Sequence, residues 1–206
     1  MEDGRDAELF AQISLLEAVA VVFAVAYLVL AIRQNRLCWV AAFIASVLSV
    51  FLFIGAQLYM QSALQVFYAA MAIYGWYQWT RGTTGPAKVH TWPLRMHLLA
   101  LSGVCVISVL FATVLSSTAQ AMPLIDSFVT VAAILTTWMV AHKLLENWIY
   151  WFVIDSVSIY LYLSRGLLLY AGLFVVYVIL VVVGFRQWHA DWRRQRESAN
   201  PVGELS

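Results

Sequence analysis

One carboxylate and two indole rings share a face of a predicted helix. Trp148, Trp151 and Asp155 lie at positions i, i+3 and i+7 of an apolar stretch, and this spacing places side chains on one side of an α-helix. Asp155 is about 12 Å beyond the first residue of the helix, close to the middle of a hydrocarbon core about 30 Å thick. A carboxylate at that depth should face a wet cavity, a partner or a cationic ligand. The alternative is a polar residue that ties helices together.

Amide and phenol groups occur near the second and third apolar stretches. Gln57 and Gln65 lie near the predicted outer ends of these helices, and Gln65 and Tyr68 share a helical stripe. A glutamine amide both donates and accepts hydrogen bonds, which suits recognition of a sugar or an amide. Hydrogen bonding between helices is the alternative interpretation.

Two further carboxylates lie within apolar stretches, and we expect both to have structural roles. Glu17 lies in the first stretch and Asp126 in the fifth. Asp126 follows Pro123 closely, and proline near an acidic residue is typical of a helix start.

The composition predicts an all-α membrane protein. Of 206 residues, 63% are hydrophobic and 11% charged, and the mean hydropathy is +0.82, which leaves too little polar surface for a soluble domain. The net charge of +1 gives no general attraction to nucleic acid. No metal-ligand spacing involves the two cysteines, and we expect no cofactor.

Seven transmembrane helices are predicted, at residues 9–32, 37–59, 62–80, 94–115, 121–140, 147–163 and 167–188.

Basic residues predict the orientation in the membrane. Only Arg5 and Arg165 fall on one side of the predicted spans, and the positive-inside rule makes that side the outside. The N-terminus is therefore expected outside and the C-terminus in the cytoplasm. The opposite side carries ten basic residues: Arg33, Arg36, Arg81, Lys88, Arg95, Lys143, Arg186, Arg193, Arg194 and Arg196.

The chain contains an internal repeat. Asn35 and Trp39 have the same spacing as Asn147 and Trp151, 112 positions later. In the third and seventh helices the matches fall at an offset of 109 instead, namely Tyr68 with Tyr177, Gly75 with Gly184, Gln78 with Gln187 and Trp79 with Trp188. Two parallel three-helix repeats joined by a linker helix are therefore predicted, a plan that places a substrate near midplane between the halves. The corresponding divisions are residues 1–80, 81–118 for the loop and linker helix, 119–192, and a cytoplasmic tail at 193–206.

The repeat carries two further expectations. The 112 offset pairs Asp155 with Phe43, so the midplane carboxylate is expected in one half only. Trp79 and Trp188, together with Trp76, lie near the cytoplasmic ends of their helices, where tryptophan is typical of a membrane interface.

Other classes of membrane protein fit the chain less well. A retinal protein needs a lysine within its last helix, whereas Lys88 and Lys143 lie in or beside loops. A protease needs paired aspartates or a serine and histidine together in the membrane, and Asp126 and Asp155 are predicted at different depths. We therefore expect no enzyme. A receptor or scaffold that transports nothing remains the alternative from another class.

Several motifs resemble those of the Pnu family of bacterial vitamin transporters. The most specific is Glu146, Asn147 and Trp148 followed by Trp151, with Asp155 beyond. The other similar stretches begin at Gln57, Gln65 and Tyr74, so that the resemblance covers nearly the whole chain.

The resemblance implies a fold, a mechanism and a substrate class. It implies a SWEET-like 3+1+3 arrangement, a homotrimer in the bacterial inner membrane, and facilitated diffusion of a vitamin. Substrate-binding residues are then expected at Asn147, Trp148, Trp151, Asp155, Gln57, Gln65 and Tyr68. Family members carry nicotinamide riboside, thiamine or riboflavin. The first two are aromatic cations, which suit indoles and a carboxylate, and nicotinamide riboside is preferred to thiamine.

Overall fold

The computed structural model describes residues 2–55, 59–81, 88–115, 123–164, 166 and 168–199. Within these residues it contains seven α-helices, which confirms the predicted number and the all-α class. In chain order they are α1 (Glu2–Ile32), α2 (Leu37–Gly55), α3 (Tyr59–Thr80), α4 (Leu94–Leu115), α5 (Pro123–Ala141), α6 (Asn147–Ser164) and α7 (Leu168–Ala199).

The predicted helix ends agree with the structure to within a few residues, except at the polar extensions of α1 and α7 and at Tyr59, which was predicted to end the second helix and instead begins α3. α7 continues past Trp188 to Ala199, because ion pairs between residues three or four apart support the helix beyond its apolar part. Arg194 lies 2.8 Å from Asp191, and Arg193 lies 3.9 Å from Glu197.

Five of the helices are long and apolar enough to cross a membrane, by length and composition: α1, α2, α4, α5 and α7. The two that fall short of this criterion, α3 and α6, carry most of the candidate site. Gln65 lies in α3, and Asn147 and Asp155 lie in α6. Polar side chains at these positions lower the hydropathy of helices that are otherwise of membrane-spanning length.

The chain divides into two compact units, Met1–Thr84 and Gly85–Ser206. In the first unit, α2 packs against both α1 and α3. In the second, α5 packs against α4 and α6, and α6 also packs against α7. Among α1, α2 and α3 the middle helix, α2, contacts both others. Among α5, α6 and α7 the middle helix, α6, does the same.

The same turn between helices occurs in each unit. Gln34 and Lys143 both have a left-handed backbone, with φ of 53° and 51°, which is uncommon for residues other than glycine. The next residue in each turn, Asn35 or Leu144, donates its N–H to the carbonyl five positions earlier. Equivalent residues of the two turns are 109 positions apart. The same offset relates the further backbone hydrogen bonds that close each turn.

A tryptophan near the start of the second helix of each turn lies against a glycine of the next helix. The ring of Trp39 covers Gly75, and the ring of Trp148 covers Gly184, so closely that a Cβ on either glycine would overlap the ring. Small residues allow this close approach of helices in membranes. A second tryptophan meets each ring edge-on, Trp79 at 5.6 Å and Trp188 at 5.4 Å between centroids.

These contacts correct two sequence-based expectations. The repeat has an offset of 109 in the second helix as well as the third, so the predicted 112 offset is wrong and Asp155 is equivalent to Ser46, not Phe43. Asp155 still has no acidic counterpart in the first unit. Trp79 and Trp188 are buried, so the prediction that they belong to an interface belt is also wrong.

The contact between Trp148 and Gly184 predicts a sharp difference between two glycines of α7. Gly184→Ala should destabilise the protein by about 1–3 kcal/mol, the usual cost of overpacking. Gly172→Ala is the matched control, because no atom lies within 4 Å of its added Cβ, and alanine favours a helix by about 0.5–1 kcal/mol. Thermal unfolding in detergent, followed by size-exclusion chromatography, measures both. Equal unfolding temperatures for the two variants would contradict the close contact.

Candidate functional site

The motif at the start of α6 forms part of the turn and of its packing. Asn147 is fully buried, and its Nδ2 donates to the carbonyl of Leu144. Trp148 is only 2% exposed and covers Gly184. Both were expected to bind substrate, but the structure places them inside the packing of the turn. The expected pair of indole faces on one open stripe is therefore not formed.

Trp151 occupies a different surface from Trp148. It packs against a core cluster of Val104, Val131, Ala132 and Ile154, contributed by α4, α5 and α6. Trp151 nevertheless remains partly exposed. Of the two indoles predicted to line the site, Trp151 is therefore the one that keeps an accessible surface.

Asp155 is buried against α7. Its side chain is 4% exposed, and its charge interacts electrostatically with the hydroxyl of Tyr177. Within the described part of the chain, the structure gives Asp155 no hydrogen bond and no ion pair. An ionised carboxylate in such surroundings is costly unless a cation or water accompanies it.

The sequence analysis missed a group of three aromatic rings that includes Tyr177, the residue that interacts electrostatically with Asp155. Phe174 lies 5.1 Å from Tyr162 and 5.4 Å from Tyr177 between ring centroids. Tyr177 interacts electrostatically with both Asp155 and Tyr162, which associates the carboxylate with this group of rings. The sequence spacing could have predicted this group. Asp155 and Tyr162 are seven residues apart on α6, and Phe174 and Tyr177 are three apart on α7, so each pair shares a face of its helix.

Gln65 and Tyr68 lie in the first unit, on α3. Both are half-buried, and Tyr68 interacts electrostatically with Tyr27, whose ring lies 6.0 Å from that of Trp39. Gln57 lies outside the described residues.

The remaining carboxylates differ in their surroundings. Asp126 lies in the first turn of α5, where a negative charge interacts favourably with the helix dipole. Glu17 is exposed on α1, so it does not tie helices together within its unit. No group of three or more possible metal ligands occurs among the described residues.

A groove of about 690 Å³ lies elsewhere in the second unit. It is bounded by α4, α5 and α6 and lined almost wholly by apolar atoms, with Phe128 and Tyr160 among them. No residue of the candidate site lines this groove. Its apolar lining offers no charge or amide for a polar solute, so we place the candidate site at Asp155.

The fold and the site together define a class of protein. Most of the seven described helices are long and apolar enough to span a bilayer, and the second unit holds a buried carboxylate and a group of aromatic rings. These are the features of a membrane transporter for a small polar solute.

Comparison with known proteins identifies the family. Residues 14–190 match the nicotinamide mononucleotide transporter family, and the chain belongs to that family. It is therefore a multi-pass membrane transporter for vitamin-type solutes, which confirms the resemblance and the expectation that it is no enzyme.

Two curated relatives and one solved structure are similar over most of the chain. The riboflavin/roseoflavin transporter RibM of Streptomyces davaonensis is 29% identical, over 86% of this chain and 84% of that protein. The nicotinamide riboside transporter PnuC of Escherichia coli is 27% identical, over 66% of this chain and 69% of that protein. The crystal structure of the vitamin B3 transporter PnuC has a TM-score of 0.72 at 21% identity, covers 92% of this chain and 87% of that one, and shows the shared fold.

Proposed function

We propose that this chain carries a flat aromatic cation across the membrane, and that the substrate is nicotinamide riboside. The observation that supports this is Asp155, a carboxylate buried beside Tyr162, Phe174 and Tyr177. A pyridinium ring fits such a site because its charge neutralises the carboxylate and its faces meet aromatic rings. Each cation–π contact contributes about 0.5–2 kcal/mol. Trp151 and Asp155 remain proposed ligands in the second unit, and Gln65 and Tyr68 in the first.

Two other vitamins remain as alternative substrates, each supported by one observation. Thiamine is also an aromatic cation and would satisfy Asp155 equally well. Riboflavin is neutral, but the riboflavin/roseoflavin transporter RibM is similar to this chain over most of both proteins. The charge of the solute therefore distinguishes the proposal from the riboflavin alternative.

The charge of Asp155 predicts which ligands respond to its removal. Asp155→Asn keeps the shape of the site and should weaken binding of nicotinamide riboside or thiamine about ten- to hundredfold, the usual loss for a charged hydrogen-bonded pair. Asp126→Asn is the control, because it removes a carboxylate of the same unit from the start of α5. Calorimetric titration of the purified, correctly assembled proteins measures these affinities.

The alternatives give different results in the same titration. Riboflavin binding that survives Asp155→Asn, with no binding of either cation to the wild type, would favour the neutral vitamin. Wild-type affinity of Asp155→Asn for both cations would end the claim that Asp155 recognises the substrate.

We infer that transport is facilitated diffusion, because the sequence has no nucleotide-binding loop and the family resemblance implies a carrier without its own energy source. Purified protein in liposomes should bring labelled nicotinamide riboside to equal concentrations inside and outside. Accumulation above the outside concentration that collapses with a proton or sodium ionophore would refute this mechanism. Empty liposomes give the background leak.

We further propose the SWEET-like arrangement of two parallel three-helix repeats joined by α4, with the N-terminus outside and the C-terminus in the cytoplasm. The turn and the covered glycine that recur in both units support the repeat, and the ten basic residues on one side support the orientation. The resemblance also supports a homotrimer in the bacterial inner membrane, which native mass spectrometry measures directly.

This topology predicts opposite labelling of the two ends. A cysteine at Ser198 should react with an impermeant maleimide only after the membrane is opened, whereas one at Ala7 should react in intact cells. The background is Cys105→Ser, because Cys105 is exposed and Cys38 is buried. Labelling of both ends from the same side would refute the odd number of spans and the parallel repeat.

A further inference from the structure

The turn between α5 and α6 holds the segment that precedes α4. The N–H of His90 donates to the carbonyl of Lys143 at 3.0 Å, and the carbonyl of His90 accepts from the N–H of Leu145 at 2.8 Å. Two residues further along the segment, the N–H of Trp92 donates to Oε1 of Glu146 at 3.0 Å. The side chain of Glu146 thus continues a contact that the backbone of the turn begins.

The same carboxylate also lies beside the first turn of α4. Nε2 of His97 is 3.8 Å from Oε1 of Glu146, and Nδ1 of His97 shares a hydrogen bond of 3.0 Å with the hydroxyl of Tyr150. Glu146 and Tyr150 are four residues apart at the start of α6, so they face the same side of the helix. We call the four residues Trp92, His97, Glu146 and Tyr150 the α4–α6 clamp.

The first unit contains the same turn without a carboxylate at the position of Glu146. Leu37 is the residue equivalent to Glu146 at the offset of 109, and it is 51% exposed. The N–H of Leu37 is capped by Oδ1 of Asn35 at 2.9 Å. Because the same turn forms with an exposed leucine at this position, the turn itself does not need a carboxylate. The contacts of Glu146 therefore serve the attachment of α4 to α6.

We propose that Glu146 is a positioning residue for the substrate site, because it fixes α4 to the start of the helix that carries Asp155. This inference rests on the proposed function, since it takes Asp155 as the counter-charge of the substrate. Asp155 lies about 13 Å along the helix from Glu146, and a rigid helix transmits a rotation or tilt at its start over that distance. Loss of the clamp would turn the carboxylate away from Tyr177 and the neighbouring rings.

The test compares two substitutions of Glu146. Glu146→Ala removes the acceptor for Trp92 and should weaken nicotinamide riboside binding by roughly two- to thirtyfold, the range for residues that couple distant sites. Glu146→Gln keeps an oxygen that accepts from Trp92 and should restore most of the affinity. Leu37→Ala, at the equivalent position of the other turn, is the matched control and should bind like the wild type. Calorimetric titration with nicotinamide riboside and with thiamine measures each protein.

A double substitution distinguishes positioning from a general structural role. If Glu146 acts through Asp155, Glu146→Ala should cause no further loss of cation affinity in the Asp155→Asn protein. Losses that multiply would overturn the positioning role. Weak binding by Asp155→Asn with wild-type binding by Glu146→Ala would overturn this inference alone. Wild-type binding by Asp155→Asn would overturn the proposed function, and this inference with it.

Milder changes keep the test decisive if Glu146→Ala does not fold. Tyr150→Phe removes only the hydrogen bond with His97, and His97→Gln removes the imidazole that faces both Glu146 and Tyr150. The positioning role predicts weaker cation binding for both variants. Wild-type affinity for both would overturn it.

Discussion

Close contact between helices is the interaction on which each unit depends. In hydrocarbon, apolar side chains gain little by leaving lipid for a neighbouring helix, so association relies on packing at short distance. Gly75 and Gly184 permit that distance, and the rings of Trp39 and Trp148 fill the space beside them. The turn before each tryptophan fixes where its ring enters the next helix. One contact in each unit thus aligns the second helix of the repeat with the third, and in the second unit these are the helices that carry Asp155 and Tyr177.

The two units carry different side chains at some equivalent positions of the repeat. At equivalent positions the first unit has Ser46 where the second has Asp155, whereas Tyr68 and Tyr177 are the same residue type in both. The phenol has different neighbours as a result, because Tyr68 interacts with Tyr27 and Tyr177 interacts with Asp155. The two units thus share a turn and a tryptophan–glycine contact, whereas the buried carboxylate is present in the second unit and replaced by Ser46 in the first.

Helix number and most helix ends could be predicted from the sequence, because bilayer thickness sets the length of each apolar stretch. The register of the repeat could not be assigned at the second helix. Trp39 could be matched to either Trp148 or Trp151, and the match to Trp151 gave the offset of 112. In the structure Trp39 and Trp148 each cover a glycine, so Trp148 is the equivalent residue. The prediction that Trp148 and Trp151 line one open face of α6 was wrong for a related reason. Residues three apart on a helix differ by about 60° in direction, and at the start of α6 that angle separates contact with α7 from contact with α4 and α5.

α6 carries polar side chains that a membrane-spanning helix usually lacks. A helix in hydrocarbon loses free energy of insertion with every polar side chain, and Asp costs about 2.5–3.5 kcal/mol at the centre of a span. α6 nevertheless carries Asn147, Asp155 and Ser158, all buried. Ser158 donates to the carbonyl of Ile154 at 2.8 Å, and Nδ2 of Asn147 donates to the carbonyl of Leu144. Oδ1 of Asn147 is buried without a hydrogen-bond partner in the described part of the chain. For Asp155 the described residues provide no hydrogen-bond donor and no ion-pair partner. Water or a cation beside an ionised Asp155 would offset this cost, which is why the proposed substrate site is centred on this carboxylate.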